Sequence, residues 1–259
     1  MRTVFQEQFI AFETIVRREI ARFTRIWTQT LLPPVITQSL SFVIFGKFIG
    51  SQVGHINGVS YMAFIVPGLV MMSVINSAFT NVVSSFFSVK FQRSIEEVLV
   101  SPTTHVAIIA GYVMGGVIRG ILVGSIVFVV SIFFTHPVIH NLAIIIIFII
   151  LTSLVFSLAG LVNAIFAKKF DDVSIFPTFV LTPLTYLGGV FYSIHSLPGV
   201  WQQFSLFNPI LYMVNGFRYG FYGFSDVSVG GSILFLVALV GILLYANLYL
   251  MKKGTGIKS

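Results

Sequence analysis

Residues 89 to 105 read VKFQRSIEEVLVSPTTH and interrupt a chain that otherwise consists largely of apolar runs. The stretch concentrates charge, at Lys90, Arg93, Glu96 and Glu97. It therefore cannot lie in the hydrocarbon of a membrane. Its apolar residues recur at helical spacing, at Ile95, Val98 and Leu99, before Pro102 ends the pattern. The stretch predicts a short amphipathic helix along the membrane surface, against which another protein can push. An ordinary polar loop is the alternative.

Composition indicates an integral membrane protein. Only 9% of the residues are charged, whereas soluble domains carry roughly 25%. The mean hydropathy is +0.98. Apolar runs of the ~20 residues that a helix needs to cross a bilayer use up most of the 259 residues, so we expect no separate soluble domain. The chain has no cysteine, which excludes disulfides and thiolate metal sites.

Residues 1 to 27 have the pattern of an amphipathic helix. One narrow sector carries apolar residues, namely Phe5, Phe9, Phe12, Val16, Ile20, Phe23 and Trp27. Arg18, Arg22 and Arg25 lie opposite. We predict a helix at the membrane surface, with aromatic rings in the headgroup region and arginines towards anionic lipid and the cytoplasm. A helix packed on a soluble partner is the alternative. A signal peptide is not indicated, since no apolar core precedes a small-residue cleavage site.

Six apolar segments are predicted to span the membrane, at about 28–50, 61–85, 105–134, 142–166, 173–193 and 229–251. Six crossings place both termini on one side. That side receives twelve of the fifteen basic residues: Arg2, Arg17, Arg18, Arg22, Arg25, Lys90, Arg93, Lys168, Lys169, Lys252, Lys253 and Lys258. The positive-inside rule therefore predicts cytoplasmic termini. This topology also accounts for the net charge of +7, so nucleic-acid binding is not indicated.

The external stretch from residue 193 to residue 228 is too apolar and aromatic for a solvated loop, although neither half is long enough for a full span. We predict two short helices that dip part-way into the outer leaflet, with Asn208 and Pro209 at the break between them. Such irregular backbone is tolerated where protein or a water-filled cavity covers it.

Polar residues within the spans form two groups. The second span carries Ser73, Ser77, Thr80, Asn81 and Ser84 on one face, and the fifth carries Thr178, Thr182 and Thr185 with Tyr186 adjacent. Polar groups need partners where water is absent, so both faces are predicted to look into protein. Two roles remain open: lining a substrate path, or forming hydrogen bonds between helices.

The third span carries small residues at intervals of four, in the sets Gly111 and Gly115, and Gly116, Gly120 and Gly124. This spacing favours close helix packing. Arg119 lies in the same span, about 21 Å along the helix. An unpaired Arg at that depth costs at least ~2.5 kcal/mol, and no acidic residue within a span can pair with it. Backbone carbonyls, polar side chains or water must do so, in either a structural or a transport role.

Motifs for chemistry are absent from the sequence. There is no GxxxxGK[ST], so the chain cannot cradle a nucleotide as a P-loop does. His136 and His140 flank Pro137 without a neighbouring carboxylate, so we predict no metal site and no catalytic residues. All eight acidic residues lie outside the predicted spans, which argues against a proton-driven carrier. The energy source is therefore expected on a separate protein.

Several motifs together resemble a known family. They are the loop from Arg93 to Pro102, the pair Leu197 and Pro198, the segment Phe207-Asn208-Pro209-Ile210-Leu211-Tyr212, and Arg218. With six spans behind an amphipathic helix, they resemble ABC-2 type permeases, the membrane subunits of ATP-binding-cassette exporters for drugs, polysaccharides and lipid-linked sugars. The resemblance covers essentially the whole chain. Over much of its length the chain looks very like an enterobacterial inner-membrane permease of that family whose substrate is not well defined, and residues 91–95 and 178–193 are especially similar.

The resemblance implies an all-α membrane fold of the type V exporter class, with a connecting helix at 1–27 and a transmembrane domain at 28–259. Residues 89–102 would form a coupling helix that docks on an ATPase subunit. Its docking residues would be Arg93, Ile95, Glu96, Glu97, Val98 and Leu99. Residues 193–228 would form an external gate. The gate residues would be Trp201, Phe207, Asn208 and Pro209 within it and Tyr192 just before it.

The family further implies a homodimer with two copies of a separate P-loop ATPase, in a bacterial inner membrane with membrane lipid around it. ATP and Mg would bind the ATPase, so this chain would hold no cofactor and would be no enzyme. The path would follow the first, second and fifth spans. Export of a hydrophobic or lipid-linked substrate by alternating access is the expected function. A motor-less scaffold or channel and a secondary carrier are the alternatives.

Overall fold

The structure is a computed structural model that describes residues 4–254 and 256, apart from the side chains of Val4, Val98 and Leu99. The basic residues Arg2 and Lys258, which entered the topology argument, lie outside the described residues.

The N-terminal part contains five helical pieces: α1 Val4–Arg25, α2 Trp27–Thr30, α3 Leu32–Ser41, the π-helix π1 Phe42–Ile49, and α4 Gly50–Val53. A two-stranded antiparallel hairpin follows, with β1 His55–Ile56 paired to β2 Val59–Ser60. The hairpin turn places Asn57 and Gly58 at positive φ, a conformation that glycine and asparagine adopt most readily.

The middle of the chain consists of α5 Tyr61–Phe91, α6 Ile95–Val100, α7 His105–Ser131 and α8 Leu142–Phe166. Three of these helices begin at a side-chain N-cap: Ser60 accepts from the Ala63 amide, Thr104 from Ala107 and Asn141 from Ile144. Such caps satisfy amides that the helix itself leaves free.

The C-terminal part begins with α9 Phe170–Phe176, the π-helix π2 Pro177–Leu181 and α10 Thr182–Tyr186. It continues with a 3-10 turn at Ile194–Ser196, then α11 Gly199–Leu206, α12 Pro209–Tyr222 and α13 Val229–Lys253. Helices α12 and α13 both end at a glycine in the left-handed conformation, Gly223 and Gly254.

Among the described residues, five segments are long and apolar enough to cross a membrane: Trp27–Val53, Tyr61–Phe91, His105–Ser131, Leu142–Phe166 and Val229–Lys253. They match five of the six predicted spans, and the chain is mostly helical as predicted. The predicted span at 173–193 is not among them, because α9, π2 and α10 are short and end at Tyr186. Pro177 and Pro183 lack the amide that a regular helix needs, which explains the interruption there.

Helix α5 forms the centre of the bundle. In its most apolar window 83% of the residues are buried, against 17% in the first span and 11% in α13. Small residues bring its neighbours close: a Cβ at Gly160 of α8 would lie 2.7 Å from the Phe79 carbonyl oxygen of α5. At Gly68 of α5 a Cβ would lie 2.8 Å from the Val190 carbonyl oxygen. These contacts are made by backbone, which cannot move aside as a flexible side chain can.

The seam between α5 and α8 predicts a matched pair of glycine effects. Gly160→Ala is expected to destabilise the protein by about 1–3 kcal/mol, because the methyl group overlaps the Phe79 backbone. Gly241→Ala in α13 meets no atom within 4 Å and should be neutral or slightly stabilising. Thermal unfolding in detergent would measure both, and equal melting temperatures for the two variants would contradict the close packing.

Candidate functional site

The charged stretch that follows α5 forms a tight turn and a short helix. Helix α5 continues to Phe91, and the backbone then reverses at Arg93, whose φ of +59° lies in the left-handed region. Ile95 is 1% exposed and packs into the core. The predicted helix over 89–102 is thus shorter than expected, with only Ile95–Val100 in α6, because its first residues extend α5.

The predicted docking residues divide by exposure. Arg93, Glu96 and Glu97 are exposed, and so is Val100, at 87%. Ile95 supports α6 from beneath and is not presented at the surface, while the side chains of Val98 and Leu99 lie outside the described residues. An apolar side chain as exposed as Val100, beside two carboxylates, is suited to contact another protein.

Helix α1 holds the α6 loop through one glutamine. The Gln8 Nε2 donates to the Pro102 carbonyl oxygen at 2.7 Å, and the Gln8 Oε1 accepts from the Thr104 amide at 2.7 Å. A groove runs between the two segments and is lined by Ala11, Thr14, Ile15, Arg18, Glu97, Ser101 and Thr103. Helices α1 and α6 therefore form one composite face, which we call the α1–α6 face.

Helix α1 packs on the bundle more closely than its sequence indicates. Phe23 is buried, whereas Phe5, Phe9 and Trp27 on the same predicted apolar sector are exposed. The expectation that Arg22 faces lipid and cytoplasm is wrong, because its guanidinium contacts Asn81 of α5. Helix α1 also packs against α7, where a Cβ at Gly111 would lie 2.7 Å from Ile15 Cβ.

The contact between α1 and α5 contains a buried carboxylate that the sequence reasoning missed. Glu19 is 0% exposed and accepts hydrogen bonds from Arg22 Nη2 at 3.0 Å, Asn81 Nδ2 at 3.2 Å and Ser85 Oγ. Arg22 Nη2 also lies 2.9 Å from Asn81 Oδ1. A sequence signal existed, because Glu19 stands four residues before Phe23 and so borders the apolar sector.

Arg119 makes a second contact between α7 and the N-terminal segment. Its Nη2 donates to the Thr30 carbonyl oxygen at 3.1 Å, next to the break between α2 and α3. The expectation that a backbone carbonyl helps to satisfy Arg119 is confirmed. Gly111, Gly115 and Arg119 recur at steps of four, so one face of α7 receives the N-terminal segment.

The other glycines of α7 face α5 and α8. A Cβ at Gly120 would lie 3.0 Å from Ser153 Oγ and 3.2 Å from Ala78 Cβ, and one at Gly124 would lie 2.5 Å from Val74. The prediction that both glycine sets serve helix packing is confirmed.

The polar residues of the second and fifth spans do not all look into protein within one chain. Ser73, Ser77, Asn81 and Thr185 are buried, whereas Thr80, Thr178, Thr182 and Tyr186 are exposed. Several of them bond to their own helix: Ser73 Oγ donates to Leu69 and Thr185 Oγ1 to Leu181. Asn81 contacts Glu19 and Arg22, which favours a hydrogen-bonding role over a path-lining role at that position.

The stretch predicted to be external contains the helices α11 and α12. Asn208 precedes α12 and Pro209 is its first residue, so the break lies where the sequence placed it. Asn208 caps α12 by accepting from the Ile210 amide at 3.0 Å, and it donates to the Leu184 carbonyl oxygen at 2.6 Å. Trp201 and Phe207 are exposed, and the half-buried Tyr192 donates its hydroxyl to the Tyr186 carbonyl oxygen.

Arg218 of α12 is buried in the bundle and contacts both α5 and the turn after α10. It is 0% exposed, with its guanidinium 3.9 Å from the centre of the Phe64 ring and its Nη2 donating to the Gly189 carbonyl oxygen at 2.7 Å. The network continues to Asp226, whose Oδ2 accepts from Ser193 Oγ at 2.9 Å. Sequence reasoning placed Arg218 only near the external face, whereas the structure buries it against α5.

The turn between α8 and α9 is held by two charged residues. Lys90 Nζ donates to the carbonyl oxygens of Ile165 and Ala167 at 2.6 and 2.7 Å, and so caps the end of α8. The backbone amides of Lys168 and Lys169 donate to Asp172 Oδ2 and hold the pKa of that carboxyl below its usual range. Over residues 4–254 and 256, no three metal-ligating side chains come together in a way that could hold an ion.

Comparison with known proteins gives matches along most of the chain. Residues 10–222 match the family model described as ABC-2 type transporter. The "Inner membrane transport permease YadH" of Escherichia coli (strain K12) is 53% identical over 251 residues, which cover 97% of this chain and 98% of that protein. "Nodulation protein J" of Rhizobium leguminosarum bv. viciae is 27% identical over 201 residues, or 74% of this chain and 76% of that protein.

Arg218 and Arg17 offer a matched test of the external network. Arg218→Ala is expected to destabilise the protein by about 3 kcal/mol or more, because it leaves buried oxygen acceptors without their charged donor. Arg17→Ala removes an ion pair with Glu13 in which the arginine side chain is 78% exposed, so the expected change is under about 1 kcal/mol. Unfolding in detergent with denaturant would measure both, and a small effect at Arg218 would contradict its structural role.

Proposed function

This chain belongs to the ABC-2 type transporter family, and from that membership we propose that it is the permease subunit of an ATP-binding-cassette exporter in a bacterial inner membrane. Five apolar helices and 53% identity to a protein named an inner membrane transport permease support the location. The chain serves transport and catalyses no reaction itself. Hydrolysis of ATP, with its Mg, takes place on a separate P-loop subunit.

The contacts support six crossings. Helix α8 connects two ends of the bundle: the Asn141 amide bonds to Gly220 at its start, and Lys90 reaches Ile165 at its end. Asp172 lies just beyond the end of α8 that Lys90 caps, which is one end of the bundle. Ser193 bonds to Asp226 next to the start of α13, at the other end. The interrupted helices α9, π2 and α10 therefore carry the chain from one end to the other, and with the five long helices they make six crossings.

Charge supports the orientation. Most of the basic residues lie in four places: helix α1, the α6 loop, the turn after α8 and the end of α13. Gln8 joins α1 to the α6 loop at Pro102. Gly256, just after α13, lies against Ile165 at the end of α8. By the positive-inside rule this end is cytoplasmic, together with both termini.

One observation carries the docking proposal: Gln8 joins α1 to Pro102 and Thr104, in the loop that follows α6, and α6 presents Glu96, Glu97 and Val100 outwards. We assign the α1–α6 face as the surface on which the ATPase docks, with Arg93 at its edge. A short helix fixed at both ends between two spans transmits a push, because it cannot yield without moving α5 or α7.

The working assembly in this proposal has two copies of this chain and two ATPase subunits. The exposed polar residues Thr80, Thr178, Thr182 and Tyr186 would face the second copy and line the path between the copies. ATP binding draws the two docking faces together, and alternating access follows. The exposed aromatic residues Trp201 and Phe207 at the external gate favour a hydrophobic or lipid-linked substrate.

Purification of the tagged chain from its native membrane tests this function. We expect a P-loop protein and ATPase activity to copurify with the wild type. Arg93→Ala/Glu96→Ala should reduce the copurified ATPase about ten-fold, as expected for loss of a polar contact pair worth about 1.4 kcal/mol. Both side chains are exposed, so the fold should be retained.

Asp171→Ala is the matched control, because Asp171 is an exposed acidic residue at the same end of the bundle but outside the α1–α6 face. It should leave the copurified ATPase unchanged. Absence of any nucleotide-binding partner from the wild type under several mild detergent conditions would contradict the proposal. Equal loss in the double variant and the control would contradict the assignment of the face.

A further inference from the structure

Helix α1 carries two carboxylate–arginine pairs in very different surroundings. Glu13 and Arg17 form an exposed pair, with side chains 43% and 78% accessible. Glu19 and Arg22 form the other pair, in which the glutamate side chain is only 1% accessible and the arginine 30%. A solvated pair of this kind contributes little to stability, whereas a buried carboxylate that loses its partners is strongly unfavourable.

The buried pair is bound to another helix. Of the three donors to Glu19, Asn81 Nδ2 and Ser85 Oγ belong to α5, and Arg22 bonds to both side chain and backbone oxygen of Asn81. Asn81 and Ser85 are one helical turn apart, so the carboxylate bridges successive turns of α5. This arrangement fixes α1 along α5 and also limits its rotation.

Helix α7 closes the site from the other side. A Cβ at Gly115 would lie 2.6 Å from Glu19 Cβ, so only glycine allows α7 to approach this closely. One turn further along α7, Arg119 binds the Thr30 carbonyl oxygen just after α1 ends. Helix α1 is thus held against α5 by Glu19 and against α7 at Gly115, while Arg119 of α7 holds Thr30 of α2, which follows α1 in the chain.

The same helix holds α6 through Gln8, and α6 lies in the chain between α5 and α7. The contacts therefore form a closed ring. Gln8 links α1 to the α6 loop, the chain links that loop to the spans α5 and α7, and both spans contact α1 at Glu19. The exposed pair Glu13 and Arg17 takes no part in it. In a ring of this kind, removal of the Glu19 contact leaves Gln8 attached to a helix that can shift.

We propose that Glu19 is a positioning residue, which holds α1, and through Gln8 the α6 loop, in a fixed place on α5 and α7. A displacement of the α1–α6 face then moves both spans. Glu19 contacts neither nucleotide nor ATPase in this assignment. The positioning itself needs no ATPase, whereas its use in transport rests on the function proposed above.

The first experiment measures hydrogen exchange in the isolated chain, in nanodiscs of phosphatidylethanolamine and phosphatidylglycerol. Glu19→Gln removes the charge and keeps the size. We expect α1 amides to exchange about ten-fold faster in Glu19→Gln than in the wild type, because a buried charge-assisted contact is lost. The matched control Glu13→Gln should stay within about two-fold of the wild type, as for an exposed pair.

A rescue distinguishes positioning from general loss of structure. In Glu19→Gln/Asn81→Asp the carboxylate moves from α1 to α5 and stays near Arg22, which lies 2.9 Å from Asn81 Oδ1. This exchange should return α1 protection to within about three-fold of the wild type. If Glu19→Gln does not fold, the positioning role is decided by two other variants. They are the double variant and Ser85→Ala, which removes one donor to Glu19 and keeps the carboxylate charge. Wild-type exchange in both Glu19→Gln and Ser85→Ala would overturn the proposal.

The second experiment adds the copurified ATPase with ATP and vanadate. In the wild type, exchange should change both in α6 and in α12 at the other end of the bundle. In Glu19→Gln the ATPase should remain bound and the α6 change should persist, while the α12 change falls about ten-fold. An unchanged α12 response would overturn the role in transmission. Absence of a bound ATPase would instead refute the proposed function, and the first experiment would still decide the positioning.

Discussion

Helix α5 lies at the centre of the bundle, and every polar group on it must find a partner in protein because the surrounding lipid offers none. This constraint determines where its neighbours lie. Asn81 and Ser85 are satisfied by Glu19 of α1, and the Ser73 hydroxyl by its own helix. At the other end, the Phe64 ring receives the guanidinium of Arg218. Glu19 and Arg218, two charged residues of the interior, therefore both contact α5.

The two charged contacts lie at opposite ends of α5. Glu19 joins that helix to α1, and Arg218 of α12 lies against its Phe64 ring and bonds to Gly189, in the turn after α10. Close packing at Gly68 and Gly160 leaves little freedom for α5 to slide between them. A rigid span with a charged contact at each end would connect the proposed docking surface directly to the proposed gate.

Features that depend on local sequence pattern could be predicted. They are the long apolar segments, the amphipathic first helix, the polar stretch before Pro102 and the break at Asn208. Contacts between residues that are distant in sequence and meet only in the folded chain could not be predicted. Nothing local pairs Glu19 with Asn81, or places Arg218 over Phe64. The interruption at Pro177 was readable from proline chemistry but was hidden by high hydropathy. Burial of Ile95 depends on how far α5 continues, and helix ends are the least certain part of such predictions.

The central claim is that the α1–α6 face receives the ATPase, and the most direct measurement is photo-crosslinking from that face in living cells. A photoreactive amino acid at position 100, where the native Val100 is 87% exposed, would capture whatever touches α6. The same probe at the exposed position 241 of α13, where a Cβ meets nothing within 4 Å, is the control. The account predicts a crosslink to a P-loop ATPase from position 100 and none from position 241. Crosslinks from position 100 to lipid alone would contradict it.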